Sequence, residues 1–143
     1  MRDIFEPIML TQHALNIAAF YAALHVLIFV GLSGWVVYER NVRRIGLGDG
    51  GDPQFLQIMR IHGHTAEYLA PTLILLMFFA IMDAGALLTH LFGVVSIAGR
   101  VLHIAGIHSS PYRSMGRVLG MTLILLSLVF ASLTVIALPL LRG

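Results

Sequence analysis

The chain has 143 residues, of which 58% are hydrophobic and 11% are charged, and its formal net charge is +2. Soluble domains carry roughly 25% charged residues, so the apolar surplus excludes an ordinary soluble core and predicts an integral membrane protein. The small net charge excludes nucleic acid as a partner, and the lack of cysteine excludes disulfides, thiolate metal sites and a cysteine nucleophile.

Four apolar windows are long enough to cross the hydrocarbon as helices, which takes about 20 residues each. They are Ala14–Tyr38, Phe55–Met82, Ala84–Ile107 and Met115–Leu140. The N-terminal stretch makes a poor signal peptide, because Asp3 and Glu6 precede an apolar run that is too long, so we expect a retained helix. The sequence therefore predicts one all-α domain over residues 1–143, an integral membrane four-helix bundle.

The connections between the windows predict the topology. Residues 39–54 form a polar, turn-rich loop, and residues 108–114 form a short polar link. Between the second and third windows only Asp83 and Gly85 mark a break, and Asp83 is placed to cap the third helix. Seven of the nine arginines lie near the side of the first and third connections, and only Arg2 and Arg142 lie on the other. The positive-inside rule then places both connections in the cytoplasm and both termini on the non-cytoplasmic side.

Ionisable side chains inside the second window are candidate functional residues, because they are costly in a bilayer. Arg60, His64 and Glu67 lie within about 60° of one another at 100° per residue, and His62 points nearly the opposite way. The third window has a polar face of its own, formed by Ser96, Arg100 and His103.

Two interpretations of these groups stay open. One is a structural ion pair between helices, for example Glu67 with Arg100. The other is an anionic ligand at the cytoplasmic end, since the arginines there outnumber the single glutamate inside the helices. All nine basic residues are arginine, which reflects either codon usage or a demand for fixed, bidentate anion binding.

Histidines in three of the windows permit another interpretation, a haem held by two imidazoles. His62 and His64 lie about 200° apart on their helix, and no pair of histidines shows a diagnostic spacing. No zinc-binding motif occurs either. We therefore expect neither a metal ion nor a haem.

Residues 60–71 read RIHGHTAEYLAP and resemble a motif of the MAPEG family, the membrane-associated proteins of eicosanoid and glutathione metabolism. The family pattern is an Arg, a Gln or His two residues on, an Asn two further on and a Glu three after that, often followed by Tyr and Pro. The matching residues are Arg60, His62, Glu67, Tyr68 and Pro71, and His64 stands where Asn is usual. Residues 99–103 (GRVLH) and 111–114 (PYRS) resemble blocks in the third and fourth helices of the family's microsomal prostaglandin E synthase branch. The motif-level resemblance covers about Phe55–Leu126, the first helix agrees only in hydropathy and position, and the small bacterial branch of the family is the best match.

The resemblance implies a homotrimer that holds glutathione, as co-substrate, between neighbouring subunits near the cytoplasmic face. It implies that glutathione is bound by residues of the second and third helices, namely Arg60, His62, His64, Glu67, Tyr68, Arg100 and His103. Arg113 would face the thiol with Ser114 beside it, and Arg117, one helical turn further on, is the alternative thiol partner.

Three functional hypotheses follow. The first is a glutathione-dependent transferase or peroxidase acting on lipophilic small molecules that enter from the bilayer, with a site between subunits. Gly93, Gly99 and Gly106 would allow the close helix approach that such an assembly needs. The second is a non-catalytic membrane module that binds glutathione or an anionic lipid headgroup with the same arginines. The third is a small transporter or a haem-linked electron carrier. The expected partners are a second and third copy of this chain, membrane lipid and a lipophilic substrate, in the bacterial inner membrane.

Overall fold

The computed structural model describes residues 2–110 and 112–142, with side chains from residue 13 onwards, as four α-helices. Helix α1 spans Arg2–Arg43, α2 Pro53–Ile81, α3 Ala86–Ser109 and α4 Met115–Arg142. All four are long and apolar enough to cross a membrane, which confirms the predicted all-helical membrane fold. Helices α2, α3 and α4 agree with the predicted windows to within two residues at each end, and α1 is longer than predicted at both ends.

The two polar connections lie at the same end of the bundle, as predicted. The rings of Trp35 in α1 and His108 in α3 meet edge to face, with centroids 5.4 Å apart. At this end the side-chain amide of Gln57 in α2 donates a hydrogen bond to the carbonyl of Ile107. At the opposite end Arg142 donates to the carbonyls of Met82 and Asp83, at 2.6 and 2.7 Å.

The start of α2 is held by a side-chain cap. Asp52 accepts hydrogen bonds from the backbone N–H groups of Gln54 and Phe55, at 2.9 and 3.1 Å, and Pro53 occupies the first helical position. Arg43, in the last turn of α1, donates to Asp52 and also to Glu39. The ion pair of Arg43 and Asp52 therefore connects the end of α1 to the start of α2.

The prediction that Asp83 caps α3 is wrong. The helix begins at Ala86, its N-cap is Gly85, and no side chain caps it. Asp83 has a φ of +46°, in the left-handed region, and its N–H bonds to the carbonyl of Ala80, so the residue terminates the turn after α2. Its carbonyl accepts a hydrogen bond from Arg142.

Two apolar clusters of buried side chains are separated by a buried polar layer. The larger cluster lies towards the end that carries the termini and includes Tyr21, Phe79 and Phe92. The smaller lies towards the polar connections and consists of Leu32, Ile61 and Ile107. Between them the predicted polar face of α3 is buried: the side chains of Ser96, Arg100 and His103 are all within the bundle. Ser96 meets the buried His25 of α1, whose Nε2 lies 3.0 Å from the Ser96 hydroxyl.

Helices α3 and α4 cross at backbone contact through glycines. A Cβ added at Gly106 would overlap the backbone of residues 116–117, and one added at Gly120 would overlap the backbone of His103. Small residues at a crossing let the helix axes approach closely. Gly93, Gly99 and Gly106, which were expected to serve the assembly of subunits, make their close approaches within one subunit, against α1 and α4. The part they were expected to play between subunits stays a prediction.

Candidate functional site

The polar motif of α2 is divided between two sides of the helix. His62 faces α1, where its ring stacks on Phe29 at 5.0 Å between centroids and its Nε2 lies 3.0 Å from the Ser33 hydroxyl. Because that hydroxyl donates to the carbonyl of Phe29, His62 must be the donor to Ser33. His64, on the other side, lines two cavities beside α4. The helical geometry that set His62 apart from His64 in the sequence is therefore confirmed.

Glu67 and Arg100 do not form the ion pair that was one reading of the sequence. Among the described residues, the Glu67 carboxylate has one ionisable side chain within 4 Å, His64, whose Nδ1 is 3.5 Å away. Arg100 is 1% exposed, donates to the His64 carbonyl at 3.3 Å and places its guanidinium 5.9 Å from the centre of the Tyr68 ring. Its Nε has no partner among the described residues. A buried cation without a carboxylate is costly, so Arg100 favours an anion nearby.

The first turn of α4 brings the predicted thiol-binding residues together. Ser114 caps this helix: its hydroxyl donates to the Gly106 carbonyl at 2.6 Å and accepts from the Arg117 N–H at 3.3 Å. The hydroxyl thereby fixes the start of α4 against α3 and holds Arg117 in place. Pro111, the first residue of the PYRS block, lies outside the described residues.

His103 connects the buried polar layer to α4. Its Nδ1 lies 3.1 Å from the Arg117 carbonyl, which can only accept, so Nδ1 carries the proton. Its Nε2 is then an acceptor when the ring is neutral, and it has no partner among the described residues. The rings of His103 and His64 meet edge to face, with centroids 5.4 Å apart.

Two adjoining cavities, each of about 380 Å³, open beside these residues. The first, here called the α4 cavity, has a polar end and an apolar wall, lined by His64, His103, Arg113, Arg117, Val118, Met121, Thr122 and Leu125. The second, the Arg60 cavity, is lined by Pro53, Leu56, Gln57, Arg60, His64, Ile107 and Arg117. His64 and Arg117 belong to both, so they stand at the junction.

The charge of this region is unbalanced. Within the described part of the chain, the guanidinium groups of Arg60, Arg113 and Arg117 form no hydrogen bond or ion pair with another side chain or carbonyl. Arginines bind carboxylates strongly because two parallel N–H groups meet two oxygens. The arrangement can therefore hold a polyanionic ligand across the junction and an apolar group along α4.

The described residues contain no group of three or more His, Asp or Glu side chains placed to hold a metal ion. His25 and His62 each use Nε2 in a contact with a serine hydroxyl. Neither observation tests for a cofactor, so the expectation of no metal and no haem stays a prediction.

The apolar wall of the α4 cavity was missed in the sequence. Val118, Met121, Thr122 and Leu125 recur at the three- and four-residue spacing of one helix face, which is a readable signal. In a helix that is apolar all round, that spacing does not distinguish a cavity wall from a lipid-facing surface.

Four membrane-length helices define a small multi-pass membrane protein, and its arginine-lined cavities lie beside an apolar wall of α4. The chain belongs to the MAPEG family, whose sequence model matches residues 18–137. It is similar to the protein named inner membrane protein YecN of Escherichia coli strain K12, with 34% identity over 97 residues, 68% of this chain and 74% of YecN. The YecN protein of Escherichia coli O6:H1 matches with the same identity and coverage.

Proposed function

We propose that this protein is a glutathione-dependent membrane transferase or peroxidase for lipophilic electrophiles. The observation that carries the proposal is the junction of the two cavities, where Arg117 and His64 stand between an arginine-rich pocket and the apolar wall of α4. Glutathione has two carboxylates, an ammonium group and a thiol, which suits cavities lined by Arg60, Arg113 and Arg117, whose guanidinium groups have no partner among the described residues. Membership of the MAPEG family supports the choice of this anion.

In this proposal the tripeptide occupies the Arg60 cavity. Arg60 binds a carboxylate of glutathione, and the neighbouring polar groups of α2, Glu67 and Tyr68, hold the rest of the peptide together with Arg100. The thiol lies at the junction, next to Arg117 and Arg113. A nearby guanidinium lowers the pKa of a thiol from about 8.5, so the nucleophilic thiolate is populated at neutral pH.

The apolar wall would hold the second substrate. In a transferase reaction the thiolate sulfur forms a bond to the electrophilic carbon, and the leaving group departs with its bonding electron pair. In a peroxidase reaction a lipid hydroperoxide is reduced to the alcohol, two glutathione molecules are oxidised to the disulfide, and the second hydroperoxide oxygen leaves as water with the two thiol protons. Because the wall runs along a membrane helix, the substrate reaches it sideways from the bilayer.

We further propose that the site is completed by a second copy in a homotrimer. Glu67 lies at the midpoint of α2, and its side chain is 63% exposed in the single subunit. A carboxylate at this depth is costly when it faces lipid. A neighbouring subunit would cover it and supply a partner, in the inner membrane, with both termini on the non-cytoplasmic side.

The test combines binding and turnover. The detergent-purified protein is melted with glutathione and with glutathione sulfonate, and conjugation of chlorodinitrobenzene is followed. We expect both ligands to raise the melting temperature and conjugation to proceed. Arg60→Ala should weaken glutathione binding roughly 10- to 100-fold, the range for one lost charge-assisted contact. Arg44→Ala, at an exposed arginine that lines neither cavity, is the control.

The results of the binding and turnover measurements distinguish an enzyme from a binding module and from a protein that binds a lipid headgroup. If the ligands raise the melting temperature but no electrophile is turned over, the protein is a binding module that uses the same residues. If neither ligand has an effect and anionic phospholipid does, the arginines serve a lipid headgroup, and the glutathione proposal fails.

A further inference from the structure

A third cavity, of about 340 Å³, lies between the ends of α1, α2 and α3, and of its lining residues only Gln57 also lines the candidate site. Trp35, Glu39 and Arg43 of α1 form one wall, and Gln54 of α2 and His108 of α3 face them. We call it the Trp35 cavity. Its volume is several times that of a water molecule, so it has room for a polar headgroup.

The charged groups of the Trp35 cavity are arranged around one guanidinium. Arg43 donates from Nε to Glu39 at 2.9 Å and from a terminal nitrogen to Asp52. Two carboxylates thus share one arginine. The nearby Arg40 does not pair with Glu39, because its guanidinium lies over the Phe55 ring and donates to the Gly48 carbonyl. Among the described residues, Arg43 is therefore the one cation that contacts the Glu39 carboxylate.

The remaining groups suit an ammonium beside a phosphate. The Trp35 indole donates to Glu39 at 3.3 Å, which orients the carboxylate, and the Trp35 and His108 rings meet at 5.4 Å. A primary ammonium is attracted both to a carboxylate and to an indole face. The second terminal nitrogen of Arg43 and the Gln54 amide donate to no described residue, so they are available to phosphate oxygens.

The position of the cavity selects a lipid over a soluble amine. Trp35 lies near the end of the α1 span, where tryptophan marks the level of the headgroups. One turn deeper in the membrane, a Cβ added at Gly31 would meet nothing within 4 Å. Ala105, which lies about one turn before His108 in α3, is also small and exposed. The bilayer side of the cavity mouth is therefore shallow and apolar, as an acyl chain requires.

We propose that the Trp35 cavity binds the headgroup of a phospholipid that carries a primary amine, with the ammonium on Glu39 and Trp35 and the phosphate on Arg43 and Gln54. This site is independent of glutathione binding.

Native mass spectrometry of the whole protein, in detergent with equal amounts of phosphatidylethanolamine, phosphatidylcholine and phosphatidylglycerol of identical chains, tests the proposal. We expect one phosphatidylethanolamine per subunit, retained roughly tenfold over phosphatidylcholine, because methylation removes every N–H donor of the headgroup. Glu39→Gln should abolish this preference, and Trp35→Phe should reduce it. Asp49→Asn, which removes a carboxylate of the same end outside the cavity, should keep it. Excess free phosphoethanolamine should not displace the lipid.

Three results would overturn the proposal. They are equal retention of the ethanolamine and choline lipids, preference for phosphatidylglycerol, and an unchanged preference in a Glu39→Gln protein. Melting temperatures of the variants show whether each is folded, and if Glu39→Gln is not, Trp35→Phe decides. Displacement by free phosphoethanolamine would show that the site serves a soluble amine.

Discussion

Arg113 and Arg117 differ in the cavities that they line and in how far they are buried. Both line the α4 cavity, and Arg117 also lines the Arg60 cavity. Arg113 is exposed, and Arg117 is half-buried, with its N–H on the Ser114 hydroxyl and its carbonyl on His103. A thiol at the junction would meet both guanidinium groups, but only Arg117 also reaches the pocket proposed for the peptide.

The two arginines should therefore differ when each is removed. Arg113→Ala should leave the affinity for glutathione within a few-fold and abolish the ultraviolet absorbance of the bound thiolate and any conjugating activity. Arg117→Ala should lower the thiolate signal and also weaken binding roughly tenfold, because one charge-assisted contact to the peptide is lost as well. Titration calorimetry and difference spectra measure the two effects. Parent-like thiolate and activity in both variants would contradict the assignment.

Asp52 makes the stability of the fold depend on pH, and this effect can be measured separately from ligand binding at the candidate site. Hydrogen bonds from the backbone of Phe55 and Gln54, together with the Arg43 guanidinium, hold the pKa of Asp52 below its ordinary value of 3.8. The folded pKa is thus lower than the unfolded one, so the ionised carboxylate stabilises the fold above about pH 3.8. That stabilisation is lost as the pH falls through the lowered value.

We accordingly expect Asp52→Asn to melt at a lower temperature than the parent near neutral pH, and the difference to shrink as the pH falls below 4. Melting curves of both proteins in detergent across that range measure it. Asp49→Asn is the matched control, since among the described residues the Asp49 side chain caps no helix and accepts only from the Gly51 N–H. A constant difference at every pH would contradict the stabilisation by the ionised Asp52 carboxylate.

At the level of the helices, the α3–α4 crossing sets the position of Arg117. Gly106 contacts the backbone of Gly116 and Arg117, and its carbonyl accepts from Ser114. No side chain can be added at Gly106 unless the helices separate, so the junction of the two cavities depends on this glycine.

Gly106→Ala should destabilise the protein by about 1–3 kcal/mol, the usual cost of overpacking, and should reduce glutathione binding by displacing Arg117. Gly31→Ala is the control, because a Cβ there meets nothing within 4 Å. The melting temperature and the glutathione affinity of both variants are the measurements. Gly106→Ala with the stability of the parent would mean that the helices are farther apart at the crossing than the contacts of Gly106 indicate.

An exposed carboxylate lies at the midpoint of α2, where it would face lipid in a single subunit. This is the reason for proposing a trimer. Native mass spectrometry in mild detergent should give a trimer for the parent protein. Glu67→Ala should shift the protein towards smaller species and lower its affinity for glutathione. His13→Ala, at an exposed residue in the N-terminal half of α1, should leave the trimer unchanged. A parent that stays monomeric and still binds glutathione would end the shared-site proposal.

The orientation of the bundle is tested with cysteines, since the native chain has none. Gly46→Cys, in the first connection, should resist a membrane-impermeant thiol reagent applied from outside, and Asp3→Cys should react with it. The reason is the excess of arginine at the end that carries both connections. The reverse labelling pattern would invert the topology.

The helices, their number and the shared end of the two connections could be predicted from the sequence. The length of an apolar run predicts a membrane helix, and the distribution of arginine predicts its orientation. Both properties can be read from the sequence without knowledge of contacts between helices. The separation of His62 from His64 was equally predictable, because helical periodicity alone determines it.

The candidate site depended on contacts between helices that are distant in sequence. Sequence reasoning identified Arg60, His64, Arg113 and Arg117 as polar residues but could not decide that His64 and Arg117 stand between two cavities. It misplaced a cap at Asp83, because the left-handed turn there follows from how α2 ends. Which segments enter the membrane follows from the sequence alone, since burial in lipid is a property of each segment. Which polar groups share a cavity follows from the packing of the helices, because it depends on where the glycines let α3 and α4 meet.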